Sequence, residues 1–263
     1  MLRHERLSGV LELVAHRGSL SVPELAAAFE VSAATARRDL DDLAAQQLVS
    51  RTRGGAIAHA VTYDLPLRYK SGRQPDQKRR IAAAAAEHVR PSSVIGLNGG
   101  TTTTEVAREI AIRTDLAGEQ PRSLTSITVV TNALNIANEL AVRPQLRTVV
   151  IGGVLRPQSF ELIGPFAHQV LAGVSIDLMF LGVDAISADQ GPATAHEGEA
   201  QVNQLIVERS RRVIAVADSS KLGQRAFCTI CAIDRIDLLI TDTAADPALI
   251  AGFIAAGVDV RQV

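Results

Sequence analysis

The stretch VSAATARRDLDDL, Val31 to Leu43, places Thr35, Arg37 and Arg38 in the first two turns of a short helix whose packing does not call for them. At about 100° per residue, Ala36, Leu40 and Leu43 fall on one stripe. Arg38 then lies about 200° from Ala36, with Arg37 and Thr35 on the two flanks. One reading is a solvated face, with Arg37 and Asp41 paired at i, i+4. The other is a face that reads a partner, and the neighbouring sequence decides between them.

Towards the N-terminus, Leu7, Val10, Leu11 and Val14 recur at i, i+3, i+4, i+7, the stripe of an amphipathic helix ending near Gly18. SVPE opens a second helix, with Ser21 as N-cap and Glu24 three residues on, the capping-box spacing. Ser32 is the natural N-cap of the third helix, with Val31 as its staple residue. Beyond Gln47, LVSRTRGGAIAHA reads as two short strands around Gly54 and Gly55, a glycine pair that permits a tight hairpin turn. Three short helices and a wing are therefore expected over residues 1–58.

In such a module the helix after the tight turn presents its first turns to the DNA major groove. Ala33 and Ala34 keep that leading edge slim, and Ser32 with the free N–H groups of the helix start suits a phosphate. The expected contacts with double-stranded operator DNA are Ser32, Thr35, Arg37 and Arg38 on the helix, with Arg51 and Arg53 on the wing. A net charge of −1 means that the attraction has to come from local placement, and 3% aromatic residues without Trp argue against recognition by base stacking.

A chain of 263 residues has room for a second, larger module. Residues 59–77, with Pro66, Gly72 and Pro75, read as a linker with room for a short helix. From 78 to 263 the apolar runs SVIGLNGG, ITVVTNA, LRTVVIGG, LMFLGVD, RRVIAVADSS and DLLITD alternate with helical segments. That alternation predicts a parallel α/β sheet covered on both faces, with ligands bound outside the carboxyl ends of the strands. Asn98, Thr101, Thr131, Asn132, Gly152, Gly153, Asp184 and Asp218 stand at those ends. IRTDLAGEQPRSLTS, Ile112 to Ser126, reads as a mobile surface loop without chemistry. Cys228 and Cys231 form a C-x-x-C with no second ligand pair for zinc, so they are two small core or edge side chains or a redox pair. No apolar run has membrane-spanning length and the N-terminus has no signal-peptide pattern, so a cytoplasmic protein with no membrane partner is expected.

VSAATARRDLDDLAAQQLVSRTRGGAI resembles the recognition helix and wing of the DeoR family of bacterial transcriptional regulators, with Ala36 in place of a commoner Ile at a core position. The resemblance continues, in order, through NGGTTTTEVA, VVTNALNIANEL, VVIGGVLR, FLGVDAIS, VADSSKLG and LLITD. It implies an α/β fold class: an N-terminal winged helix-turn-helix joined to a larger α/β domain resembling ribose-5-phosphate isomerase, which senses a phosphorylated sugar or polyol and assembles as a dimer or tetramer.

The residues make physical sense of that implication. Gly99 and Gly100 let backbone amides approach an anion, Thr101, Thr102 and Thr103 add hydroxyls, and the helix behind them adds its positive end. Asn98 replaces the family's usual Asp. Thr131, Asn132, Gly152, Gly153, Asp184 and Lys221 complete the expected effector set, Asp184 for hydroxyls and Lys221 for the phosphate or a carbonyl. The paired acid expected of an isomerase after Asp184 is missing, Ala185, Ile186 and Ser187 standing there. The expectation is therefore a regulator with no catalytic residue, metal or cofactor: a repressor of a carbohydrate or polyol operon, released by a phosphorylated sugar. The alternative is a phosphosugar isomerase-like enzyme with an appended DNA-binding module.

Overall fold

The computed structural model describes residues 3–58, 66–70, 72, 74–113 and 127–263. Most of the stretch read as a mobile loop, residues 114–126, lies outside the described residues. Two compact units divide the chain, Met1–Arg73 and Gln74–Val263.

In the first unit α1 (Arg3–Arg17), β1 (Ser19–Ser21), α2 (Val22–Ala28) and α3 (Ala33–Ala45) lead into β2 (Val49–Arg51), β3 (Gly55–Ala58) and a short α4 (Leu67–Lys70). Leu7, Val10, Leu11, Val14, Leu25, Ala36, Leu40 and Leu43 make one buried core, as the helical spacing requires. The capping box at α2 closes both ways: Ser21 Oγ accepts from the Glu24 N–H at 3.3 Å and Glu24 Oε2 accepts from the Ser21 N–H at 2.8 Å. Ser32 Oγ caps α3, accepting from the Thr35 N–H at 3.1 Å. Asp39 on α3 is buried and held by Arg6, whose Nε donates to Oδ2 at 2.6 Å and whose Nη2 donates to Oδ1 at 3.2 Å.

The wing differs from the sequence expectation in one respect. It is a three-stranded antiparallel sheet in the order β1-β3-β2, and Ser19–Ser21, of which the sequence marks only the Ser21 cap, supplies the extra strand. Neither Gly54 nor Gly55 has a positive φ. Gly55 is needed because β1 lies on it: a Cβ there would overlap the Leu20 carbonyl oxygen and sit 2.7 Å from Ser21 Cα, whereas Gly54 has open space. The stretch read as a linker is partly helical. α4 places Tyr69 in the first core with its hydroxyl donating to Gln46 Oε1 at 2.6 Å, and α5 starts at Pro75.

The second unit runs α5 (Pro75–Ala86), β4 (Val94–Leu97), α6 (Thr101–Ile112), β5 (Ile127–Thr131), α7 (Leu134–Ala141), β6 (Leu146–Val150), β7 (Val154–Arg156), β8 (Glu161–Ile163), α8 (Phe166–Ala172), β9 (Ile176–Gly182), β10 (Ala185–Ser187), β11 (Gly191–Thr194), α9 (Glu197–Glu208), β12 (Ser210–Val216), β13 (Cys228–Thr229), β14 (Leu238–Thr241), α10 (Pro247–Ala255) and β15 (Asp259–Gln262). Seven strands form one sheet in the order β15-β14-β12-β9-β4-β5-β6, and every pairing in it is parallel. Side chains alternate between its faces: Leu178 and Phe180 of β9 pack with α5, α6 and α7, while Met179 and Leu181 pack with α8, α9 and α10. The strand order reverses between β4 and β9, and at such a point the outgoing connections diverge to opposite faces and leave a crevice. Two small antiparallel sheets, β7-β8 and β10-β11-β13, stand beside the main one.

Cys228 and Cys231 are unpaired thiols. Burial pushes both upward, Cys231 to about 11, which leaves them weak nucleophiles near neutral pH. Among the described residues no helix is long and apolar enough to cross a membrane.

The wing geometry separates two adjacent glycines that look alike in sequence. Gly55→Ala is expected to destabilise the N-terminal unit by about 1–3 kcal/mol, and Gly54→Ala to change it by less than about 0.5 kcal/mol. Urea titration of both variants followed by circular dichroism checks this, and equal effects would contradict the close-approach explanation.

Candidate functional site

Two groups of residues carry candidate chemistry, one in each unit. On α3, Arg38 is exposed opposite the buried Ala36, Leu40 and Leu43, and Arg37 is exposed on the flank of that stripe. Neither makes an ion pair with a described residue. Asp41, the i, i+4 partner weighed for Arg37, is instead taken by Arg51 from β2, whose Nε donates to Asp41 Oδ1 at 2.8 Å and whose Nη1 donates to the Gly55 carbonyl. Arg51 thus braces the wing against α3, and Arg53 is exposed at the tip between β2 and β3. Ser32 and Thr35 are partly committed to each other, with 3.0 Å between their hydroxyl oxygens.

In the second unit the sequence-predicted residues gather mostly where the strand order reverses. Asn98 follows β4 and is buried; its Nδ2 donates to the Gly182 carbonyl at 2.9 Å and its Oδ1 accepts from the Gly182 N–H at 2.8 Å. Its amide therefore clamps the ends of β4 and β9 together. Gly99 and Gly100 lead into α6, whose N-cap is Gly100 at φ 143°, so no side chain caps this helix. The first-turn amides of an α-helix have no partner within it, and here Thr101, Thr102 and Thr103 contribute them. Thr103 and Thr104 hydroxyls donate back to the Gly100 carbonyl at 3.1 and 2.6 Å.

Thr131 Oγ1, at the end of β5, accepts from the Ala133 N–H at 3.1 Å. Asn132 is fully buried; its Nδ2 donates to Glu161 Oε2 at 3.0 Å while its Oδ1 has no hydrogen-bond partner among the described residues. Gly152 and Gly153 join β6 to β7, and a Cβ on Gly153 would meet Ile163 backbone atoms at 2.6 and 2.9 Å, so Gly153 serves the closeness of β8. Asp184, after β9, accepts from Thr194 Oγ1 and the Ala195 N–H, both at 3.1 Å. Lys221 ends a short 3-10 turn after β12 and is half-buried.

Three residues that sequence reasoning did not single out complete the cluster. Arg156 on β7 and Glu199 on α9 form a buried ion pair at 2.8 Å, with both side chains less than a tenth exposed. Thr194 Oγ1 lies 2.8 Å from Glu199 Oε2 as well as 3.1 Å from Asp184 Oδ2, and its one hydroxyl proton serves one of the two carboxylates at a time, which links them. Glu161 on β8, the cross-strand partner of Arg156, is buried against Gly99, where a Cβ would overlap its Cγ and carboxylate. A buried carboxylate without a compensating charge is costly. The cost falls on Glu161, because Arg156 is engaged by Glu199. Burial first, then the Glu199 and Asp184 charges, push Glu161 up to about 8, against the opposing hydrogen bonds of Asn132 and the Gly99 amide. The sequence signal for these acids was weak: Glu199 reads as an ordinary acidic residue in a helix's first turn, and nothing local to Glu161 shows that it is buried.

Comparison with known proteins gives the family. A model of the DeoR-like helix-turn-helix domain matches residues 6–61, and one of the DeoR C terminal sensor domain matches residues 73–243. The HTH-type transcriptional regulator GlpR of Haloferax volcanii is 36% identical over 247 residues, covering 94% of this chain and 92% of that protein. The glycerol-3-phosphate regulon repressor of Escherichia coli strain K12 is 32% identical over 242 residues, covering 92% of each. Among solved structures, ribose 5-phosphate isomerase A from Methanocaldococcus jannaschii aligns with a TM-score of 0.40 and 18% identity, over 56% of this chain and 54% of that one.

The raised carboxyl of Glu161 has a stability consequence. Between its ordinary value of 4.5 and about 8 the folded chain holds a proton that the unfolded chain has released, so this group's contribution falls as pH rises through that window. Glu161→Gln, which carries no titrating proton, is expected to match the wild type near pH 5 and to exceed it in stability at pH 9. Thermal unfolding of the C-terminal unit across that range checks it; parallel curves would contradict the assignment.

Proposed function

The chain belongs to the DeoR family, and from that premise we propose that it represses a carbohydrate or polyol operon by holding double-stranded operator DNA until a phosphorylated sugar or polyol releases it. The observation that carries the DNA half is the exposed pair Arg37 and Arg38 on the outer face of α3, free of ion pairs with described residues while Arg51 is retained by Asp41 and Gly55. Two arginines so placed suit the major groove, where Arg pairs with the O6 and N7 of guanine. Arg53 and the α3 N-terminus, with Ser32 and Thr35, are suited to phosphates.

The effector half is supported by the reversal of strand order between β4 and β9, the place where open sheets of this kind bind ligands. An anion is suited to the uncapped start of α6 after Gly99 and Gly100. Asp184 and Asn132 offer acceptors for sugar hydroxyls, and Thr131, Gly152, Gly153 and Lys221 complete the set in this reading. Asn98 contributes by fixing the crevice walls through Gly182. The Escherichia coli relative, named as a glycerol-3-phosphate regulon repressor, supports a regulator of polyol-phosphate genes. No catalytic role is assigned, since the group following Asp184 is the apolar Ala185 and Ile186.

Release requires the ligand to bind two arrangements of the protein with different affinity, and a difference of a few kcal/mol suffices. A dimer or tetramer would set two recognition helices on half-sites, and effector binding would favour a spacing that does not match them.

Two measurements test this reading. Arg38→Ala is expected to weaken binding to the cognate duplex by about 1–3 kcal/mol and to relax specificity at one base pair. Unchanged affinity would remove Arg38 from base reading. Thermal unfolding against a panel of phosphorylated sugars and polyols is expected to give one compound that stabilises by about 2.7 kcal/mol at 100 times its dissociation constant, with no effect of its unphosphorylated parent. No shift from any compound would remove the effector assignment.

A further inference from the structure

We propose that Glu161 is a built-in occupant of the anion cradle at Gly99, so that an anion entering at the start of α6 has to evict the Glu161 side chain from β8. The inference rests on the effector reading above and adds how that site is regulated.

The geometry is specific to this residue. Glu161 packs so closely on Gly99 that even one methyl group there would overlap its Cγ and Oε1. Its carboxyl faces the Gly99 amide and accepts from Asn132 Nδ2 at 3.0 Å. Those are donors of the kind an incoming oxyanion takes, at a helix start that no side chain caps. A second observation points to a ligand at the same place: Asn132 Oδ1, on the other end of the amide that holds Glu161, is fully buried and has no partner among the described residues. A ligand that carries hydroxyls as well as an anion supplies the missing donor.

Charges around Glu161 set how readily it leaves. Glu199 of α9 and Asp184 after β9 oppose its ionisation, and Arg156 across the β7–β8 hairpin is engaged by Glu199. His196, at the start of α9, is turned to the Gly198 N–H at 3.1 Å. Near neutral pH the occupant is the uncharged acid, held mainly by hydrogen bonds; above pH 8 it becomes a carboxylate that repels an entering anion.

Sulfate is a suitable probe because it stays dianionic throughout this range. Calorimetric titration uses the full chain carrying Arg37→Ala and Arg38→Ala, so that the recognition helix does not contribute, with Glu161 intact or changed to Ala or Gln. The Glu161→Ala protein is expected to bind sulfate about fivefold more tightly at pH 6.5, the equivalent of one hydrogen bond of ~1 kcal/mol. At pH 9 the gain should exceed about tenfold, because a carboxylate no longer has to be displaced. Glu161→Gln, isosteric and neutral, should match the parent at pH 6.5 and bind more tightly at pH 9. Saturable binding by the parent with no gain in either variant, or with a loss, would overturn the eviction and leave the anion site standing. Absence of saturable binding in all three proteins would overturn the anion site and the eviction together.

Discussion

The two hydrogen bonds between the Asn98 amide and the Gly182 backbone join β4 to β9 at the point where the strand order of the sheet reverses. Parallel strands leave their carboxyl ends without further ladder partners, and here the outgoing chains diverge to opposite faces. Holding those two ends together allows a crevice to open beyond them without separating the strands beneath. The turn Gly99–Gly100, the start of α6 and Asp184 are all positioned by that clamp. An Asp at position 98 could accept from the Gly182 N–H but, when ionised, could not donate to its carbonyl. The amide therefore suits a structural task.

Around the clamp the buried charges are unevenly matched. Arg156 and Glu199 satisfy each other, Thr194 passes a hydrogen-bond link to Asp184, and Glu161 is left with neutral partners. A buried network of this kind is costly when one member is unmatched, and a functional site is where such a cost is commonly retained. The N-terminal unit shows the opposite use of buried charge. Arg6 grips Asp39 with two hydrogen bonds and locks α1 to α3, which leaves Arg37 and Arg38 on a rigid base.

Local features were legible in the sequence and distant pairings were not. The Ser21–Glu24 box, the Ser32 cap and the Ala36, Leu40, Leu43 stripe follow from spacing within one or two helical turns, and the structure forms each of them. The six apolar runs each became a strand of the parallel sheet, whereas the short edge strand β15 carried no comparable apolar signal. Nothing in the neighbouring sequence marks Asp39, Arg156, Glu161 and Glu199 as buried, because partners that hold them lie far away in the chain. Arg6 is 33 residues from Asp39, and Arg156 is 43 from Glu199. Gly55 shows the same limit, since a glycine that opens a turn and one that admits a neighbouring strand are written alike.

In the proposed function, one protein couples a phosphorylated effector in the C-terminal unit to operator binding through α3. Reciprocal linkage makes that coupling measurable from the DNA side. The direct measurement selects the preferred duplex from a random-sequence pool with the full chain, then titrates its affinity at fixed salt with and without each phosphorylated sugar or polyol. The expected result is a selected duplex that binds far more tightly than random DNA and loses affinity with one phosphorylated compound but not with its parent. A selected duplex whose affinity no phosphorylated compound changes would contradict it.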